Sequence, residues 1–215
     1  MKSVLLIGIG RFDKTIAEEI YKLGHQVMAV DRNENLINDV LPFVTNAQIG
    51  DSTSKEFLQS LGVDNYDVCI VTIKRDFQSS LETVALLEEL GAKFVVARAS
   101  SEFHAKFLLR NGANKIVFPE KQMAKWTAIR YTANHILDYV EIDENLSVFE
   151  LDVPAGWVGK TVAQVDVRKK YNINIMGIFE NGKLTASINA DTVFTSDKPI
   201  LVLGNYKDVQ KCFKL

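Results

Sequence analysis

The chain is poor in the residues that usually announce chemistry. Its 215 residues hold two cysteines, three histidines and four prolines. Cys69 and Cys212 lie far apart, which argues against a disulfide framework. Cys69 also falls inside an apolar strand, where a thiol reads as inert filling. His25, His104 and His135 are scattered without any metal-ligand spacing. His25 reads as part of a helix-to-strand turn, and the other two as ordinary surface or interface residues on helices. No Gly-x-Ser-x-Gly run and no cysteine–histidine pair in register supplies a nucleophile. No apolar run approaches the roughly eighteen residues of a membrane span, and the N-terminus reads as a strand from residue 2 rather than a signal peptide. An excess of one charge is lacking too. The formal net charge of −2 gives no general affinity for nucleic acid or anionic lipid. With 47% hydrophobic and 24% charged residues, the chain reads as a globular cytoplasmic protein without disulfides.

What is present is concentrated near the start. Val4-Leu5-Leu6-Ile7 is a short apolar run that breaks into Gly8-Ile9-Gly10-Arg11-Phe12-Asp13. A helical pattern follows, and a second apolar strand, Val27 to Val30, ends at Asp31. Strand, glycine turn, helix, strand and acid form the layout of a dinucleotide-binding βαβ unit. Gly8 and Gly10 let the backbone turn tightly beside a ligand. The helix starting near Phe12 points free N–H groups at that turn, which suits a phosphate. Asp31 is placed to accept ribose hydroxyls, and Arg11 to offer a fixed cation to phosphate oxygens. Asp13 stands where the third glycine of the fingerprint belongs. Its carboxylate is expected to point outward or to widen the helix–strand contact. Three consequences remain open: Arg11 or Lys14 neutralises it, a divalent cation bridges it to phosphate, or nucleotide affinity falls.

Further strand patterns recur at Ala47–Ile49, Val68–Val71, Phe94–Ala97 and Ile116–Phe118. Helical patterns separate them. Ile16, Ile20 and Leu23 share one face, as do Leu36, Ile37, Val40 and Leu41. Ser54 caps a helix through Leu61, Leu81 to Leu90 is amphipathic and closed by Gly91, and Phe103, Phe107 and Leu108 pattern another. Six strands alternating with helices predict a Rossmann-like α/β fold, a doubly wound parallel sheet. Ligands bind such sheets at the C-terminal strand ends. Asp51 and Ser52, then Thr72, Ile73, Lys74 and Arg75, then Arg98, then Glu120 occupy those ends.

After Pro119 a long helix is expected from Glu120 to Tyr139, then a polar hinge at Asp143-Glu144-Asn145. The texture then changes to a small α+β domain. Strands are expected at 148–153, 173–179, 183–188 and 200–204, with a short helix from Thr161 to Tyr171, a turn at Asn181-Gly182 and a short C-terminal helix. The expected domains are 1–139 and 140–215.

The runs Gly8-Ile9-Gly10-Arg11-Phe12, Asp31-Arg32-Asn33 and Gly50-Asp51-Ser52-Thr53 resemble one family together. So do the segment from Asn111 through Pro119-Glu120 to Met123-Ala124, and Gly204. The chain resembles the cytosolic regulatory subunits of Trk/Ktr-type potassium uptake systems, which join an RCK (regulator of potassium conductance) N-domain to a TrkA-C domain. The resemblance covers essentially the whole chain. It implies a homo-oligomer of dimers, with the helix at 120–139 as crossover, assembled into an octameric ring. That ring docks on a membrane potassium-translocating subunit from the cytoplasmic side. It further implies that ATP or ADP, and sometimes NAD(H), binds the N-domain. Arg11 would then meet the terminal phosphate and Asp31 the ribose, with Arg98 as the family's basic residue at the end of the fifth strand. Glu120 would help hold a divalent cation, Mg or Ca. Phe12, Asp13, Arg32, Asp51, Ser52, Ile73 and Lys74 complete the expected cofactor-binding set. Asp13 departs from the family's usual glycine. In the C-domain, Val167 to Tyr171 and Ile175-Met176 match the segment that binds cyclic di-AMP in some members, with Arg168 on phosphate. The proline usual near residues 187–190 is absent. Two rival readings stand beside this one: a small NAD(P)-dependent oxidoreductase, and a ring protein that senses only a C-domain ligand.

Overall fold

The computed structural model describes residues 1–74, 76–143 and 145–213. Arg75, and Glu144 of the expected hinge, lie outside the described residues. Two compact units divide the chain, Met1–Glu120 and Lys121–Leu215.

The first unit alternates strand and helix: β1 (Ser3–Ile7), α1 (Arg11–Lys22), β2 (Gln26–Asp31), α2 (Glu34–Val40), β3 (Asn46–Ile49), α3 (Lys55–Leu61), β4 (Val68–Val71), α4 (Phe77–Glu89), β5 (Val95–Arg98), α5 (Glu102–Arg110), β6 (Lys115–Val117) and the start of α6 (Pro119–Thr132). The strands form one parallel sheet in the order β3-β2-β1-β4-β5-β6. That is the doubly wound arrangement the alternation predicts. Leu5, Ile7, Val71 and Val95 pack on one face with Leu58, Leu87 and Leu108. Leu6, Val27 and Ala29 pack on the other with Ala17, Ile37 and Val40. Burial on both faces explains why these strands read as continuous apolar runs rather than alternating ones. Side chains at the helix starts hold the loops. Asn33, Ser54, Asp76 and Ser101 each accept a backbone amide at the first turn of α2, α3, α4 and α5.

Three local expectations change. Leu23 caps α1 and stays 71% exposed rather than joining Ile16 and Ile20 inside. Leu41 leaves α2 for a tight turn with Pro42, whose ring cannot continue the helix. His104 is buried rather than superficial. It faces inward from α5, with Nδ1 3.1 Å from the Ser100 hydroxyl and its ring 4.7 Å from Phe77.

In the second unit the expected helix from 120 to 139 is corrected. It ends at Thr132, and β7 (Ile136–Glu141) follows, so His135 lies between the two and not on a helix. The expected boundary at 139 falls inside this strand. The physical reason is a register shift between Ile136 and Asp138, where β7 pairs with β8 (Ser147–Leu151). One extra residue puts Ile136 and Tyr139, three apart, on the same buried face and so imitates a helical period. The unit continues through α7 (Val162–Val165), α8 (Val167–Tyr171), β9 (Asn174–Glu180), β10 (Lys183–Thr185), β11 (Ile200–Gly204) and α9 (Tyr206–Phe213). Its sheet is antiparallel in the order β10-β9-β11-β8-β7. The single helix expected from Thr161 to Tyr171 is broken at Asp166, which adopts φ +51°. The strand expected through residue 188 stops at Thr185. Phe149, Leu151, Ile173, Ile200, Val202 and Val209 form the core, with Trp126 and Ile129 of α6 packed against it.

Candidate nucleotide-binding site

The strand order places β1 between β2 and β4, so the connections leaving β1 and β4 diverge to opposite sides and open a cleft at their C-terminal ends. Its volume is about 790 Å³, within the range of small-molecule sites. Gly8, Gly10, Arg11, Phe12, Asp13, Asp31, Arg32, Ser52, Ile73, Lys74 and Arg98 all line it. Asp51 stands outside this lining. It accepts Arg32 Nη2 at 2.7 Å and the Thr53 amide at 2.9 Å, and so orients Arg32. Thr72, already placed at a strand end, lines the cleft too, and so do Asp76 and Ser79, which the sequence does not place there. Their signal was available: Asp76 precedes an amphipathic helix by one position and accepts the Ser79 amide as its N-cap.

The glycine turn is held by its neighbours. Gly8 has φ +88°, and a Cβ there would meet the Ile73 amide nitrogen at 3.1 Å. Only glycine satisfies both conditions comfortably. The Thr72 hydroxyl donates to the Gly8 carbonyl at 2.6 Å, tying the end of β4 to the turn. Asp31 Oδ2 accepts the Ile9 amide at 2.7 Å and Oδ1 the Asn33 amide at 2.8 Å. Both oxygens therefore brace the backbone before any ligand arrives. Each keeps a second lone pair for a ribose hydroxyl.

Of the two expected outcomes for Asp13, the outward carboxylate is excluded. The residue is 2% exposed, and its Oδ2 accepts the Gly10 amide at 2.8 Å. The acid thus caps its own helix from within. Its Oδ1 is buried without a hydrogen-bond partner. Burial raises the carboxyl above its ordinary value; the Thr72 hydroxyl, the Gly10 amide and the Arg98 guanidinium oppose that rise without cancelling it. Gly10, as N-cap, has no side chain to bond the next helical amides. Those of the first turn remain oriented toward an anion.

Cations converge at the other end. Arg98 lies over the Phe12 ring at 4.8 Å and gives Nη2 to Glu120 Oε1 at 2.6 Å. Its Nε is buried without a partner. Lys74 Nζ reaches the same Glu120 oxygen at 2.8 Å. Lys74, the Glu120 amide and Arg98 hold the Glu120 carboxyl down at about 2. Two cations on one oxygen do not suit a metal ligand. Among the described residues, no group of three histidine, cysteine or acidic side chains is placed to hold a metal ion. Glu120 Oε1, on the carboxylate expected to help hold a divalent cation, is thus taken by Lys74 and Arg98 in this chain.

In the second unit Arg168 is exposed and its Nε donates to Asn174 Oδ1 at 2.5 Å. Asn172 and Asn174 line a polar hollow of about 780 Å³ with Asp143 and Asp208. Arg168, Ile175 and Met176 are not among its described lining residues.

A parallel sheet with a glycine turn after its first strand, a bracing acid on its second and cations on its fourth and fifth defines a Rossmann-type nucleotide-binding module. The sequence comparisons carry that class to a family. Residues 4–119 match the TrkA-N domain and residues 146–215 the TrkA-C domain, and the chain belongs to the family that joins these two domains. It is 35% identical over 210 residues to Ktr system potassium uptake protein C of Bacillus subtilis (strain 168), covering 98% of this chain and 95% of that one. It is 31% identical, with coverage of 98% and 95%, to Ktr system potassium uptake protein A of the same organism. Among solved structures, the GsuK channel bound to NAD superposes with a TM-score of 0.69 at 20% identity, over 98% of this chain and 38% of that chain. This chain thus spans well under half of the GsuK chain's length.

Proposed function

We propose that this protein is a nucleotide-gated regulatory subunit of a potassium uptake system. The observation that carries the reading is the cleft, formed from the Gly8 turn, Asp31, Lys74 and Arg98, in a chain that matches a Ktr potassium uptake protein over 98% of its length. The bound GsuK structure extends the choice of ligand to NAD. ATP and ADP are the ligands we favour, because Arg11 and Lys74 add cations at the cleft beyond those a single phosphate needs.

The function needs no covalent step. A nucleotide that binds two shapes of an assembly with different affinity shifts the population between them. The assembly we propose is a homo-oligomeric ring, with eight chains as the specific expectation, attached to the cytoplasmic face of a membrane subunit that passes potassium. Among the described residues, no helix is long and apolar enough to cross a membrane, so translocation itself is assigned to that partner. The residues lining the cleft include no histidine, tyrosine or cysteine, which favours this reading over a hydride-transfer enzyme. Cyclic di-AMP at Arg168, Ile175 and Met176 is the second ligand proposed, supported by the exposed Arg168 and its bond to Asn174.

Calorimetric titration with ATP, ADP and NAD tests the central claim. Different affinities for ATP and ADP support a switch. Equal affinities, or no binding by any of them, remove it. Light scattering of the isolated protein tests the ring, and a stable monomer counts against it.

A further inference from the structure

We propose that Glu120 is a built-in competitor for the phosphate end of the ligand, and that a bound phosphate releases the first turn of α6 by drawing Lys74 and Arg98 away from it. The proposal rests on the nucleotide reading of the cleft and adds to it how occupancy is reported.

The geometry has three parts. Lys74 follows β4, Arg98 ends β5, and both line the cleft. Their charged groups meet on a single oxygen, Glu120 Oε1, at 2.8 and 2.6 Å. This is how two cations gather on a phosphate oxygen. The carboxylate thus holds the pair together while no phosphate is present, at a helix start that itself favours a negative charge.

The pairing is incomplete on the Arg98 side. Its side chain is 11% exposed, and Nε lies buried without a partner. A guanidinium carries five N–H donors, and one Glu120 oxygen engages a single nitrogen of them. Stacking on Phe12 at 4.8 Å fixes the guanidinium at the glycine turn, where α1 directs its first amides. A phosphate with three terminal oxygens fits this donor set better than Glu120 does. Glu120 and Lys74 are about half exposed, at 46% and 55%. Ion pairs at such sites are weak enough to exchange.

The competition is present at every physiological pH. The Glu120 carboxyl, held at about 2, is always charged there. A ligand whose terminal phosphate reaches both cations displaces Glu120 fully, and a shorter one displaces it in part. Phosphate number is thereby converted into the freedom of one helix end. α6 runs from Pro119 to Thr132, so the residue that is released begins the segment leading into the second unit.

The test uses full-length protein and Glu120→Gln, titrated with ATP and ADP in chelator, with hydrogen exchange followed in the peptide spanning residues 119–132. Glu120→Gln removes the competitor, so it should bind ATP about three- to tenfold tighter, the range expected for losing two partly exposed pairs. ATP should speed exchange in the wild-type peptide and leave that of Glu120→Gln, already fast, unchanged. Lys74→Gln retains Glu120 but loses a phosphate contact, so it should loosen the turn without tightening binding. Unchanged or weaker binding by Glu120→Gln overturns the proposal. Weakening seen only with Mg²⁺ or Ca²⁺ present overturns it in favour of metal ligation. If neither protein binds any adenine nucleotide, the nucleotide reading itself falls and takes the proposal with it.

Discussion

Asp13 Oδ2 lies 2.8 Å from the amide nitrogen of Gly10, three residues earlier in the same turn. A position that is usually glycine in the dinucleotide fingerprint thus carries an acid that satisfies its own helix. The glycine turn has two amides in succession committed to carboxylates, Ile9 to Asp31 and Gly10 to Asp13. On the proposed nucleotide reading, phosphate recognition would then fall to Arg11, Lys74, Arg98 and the amides further along α1. Replacing Asp13 by glycine removes a buried negative charge from the cleft wall, and nucleotide affinity should rise. A fall would show that the capped turn is needed to shape the site.

Asp13 also makes stability depend on pH. Burial raises its carboxyl in the folded chain above the unfolded value. The folded state therefore holds the proton more tightly. The stabilising contribution is complete below the ordinary carboxylate value of about 4 and is lost as pH rises through the raised native value. Asp13→Asn cannot ionise and keeps an oxygen for the Gly10 amide. Its melting temperature should gain on the wild type progressively as pH rises above about 4. A difference that stays constant with pH refutes the assignment.

Asp31 has a structural role in the glycine turn, since it accepts two backbone amides. Asp31→Ala strands the Ile9 and Asn33 amides that it accepts. Ile9 is 4% exposed, so the loss should destabilise by about 1–3 kcal/mol in urea unfolding. Asp31→Asn should recover part of this stability but not the ribose affinity.

Arg11 lies exposed on the cleft lining and has no assigned ion pair among the described residues. Arg11→Ala should leave the fold intact and weaken ATP more than ADP. Calorimetry on the two nucleotides checks this, and equal weakening would place Arg11 away from the terminal phosphate.

The thiols should be silent. Burial pushes Cys69 and Cys212 up to about 12. At about pH 8 a thiol-labelling reagent should modify neither in the native protein and both after denaturation. Rapid native labelling of Cys69 would show that the sheet opens locally.

Much of the first unit was legible because its signals are local. β1, the Gly8 turn, α1, β2 and Asp31 occupy one short run, and burial on both faces makes each strand an unbroken apolar string. The second unit was harder because its signals are ambiguous. The shifted register in β7 put Ile136 and Tyr139 at a helical spacing, and Asp166 broke a helix without a glycine or proline to mark it. The meeting of Lys74, Arg98 and Glu120 was not legible at all. Each was readable as a strand-end residue, but their convergence depends on how β4, β5 and α6 end relative to one another. The inward carboxylate of Asp13 is not legible in the sequence, since only the folded turn brings the Gly10 amide to it.

The hydrophobic clusters have a consequence for cooperativity. Among the described residues, those beneath the cleft are drawn from before Lys121, and that of the second unit from after it. Such a chain need not unfold in one step. A ligand bound in the cleft adds its mass-action stabilisation to the first set of side chains. In a heating scan the nucleotide should move one heat-absorption peak and leave the other in place, so that calorimetry reports which half of the molecule holds the ligand.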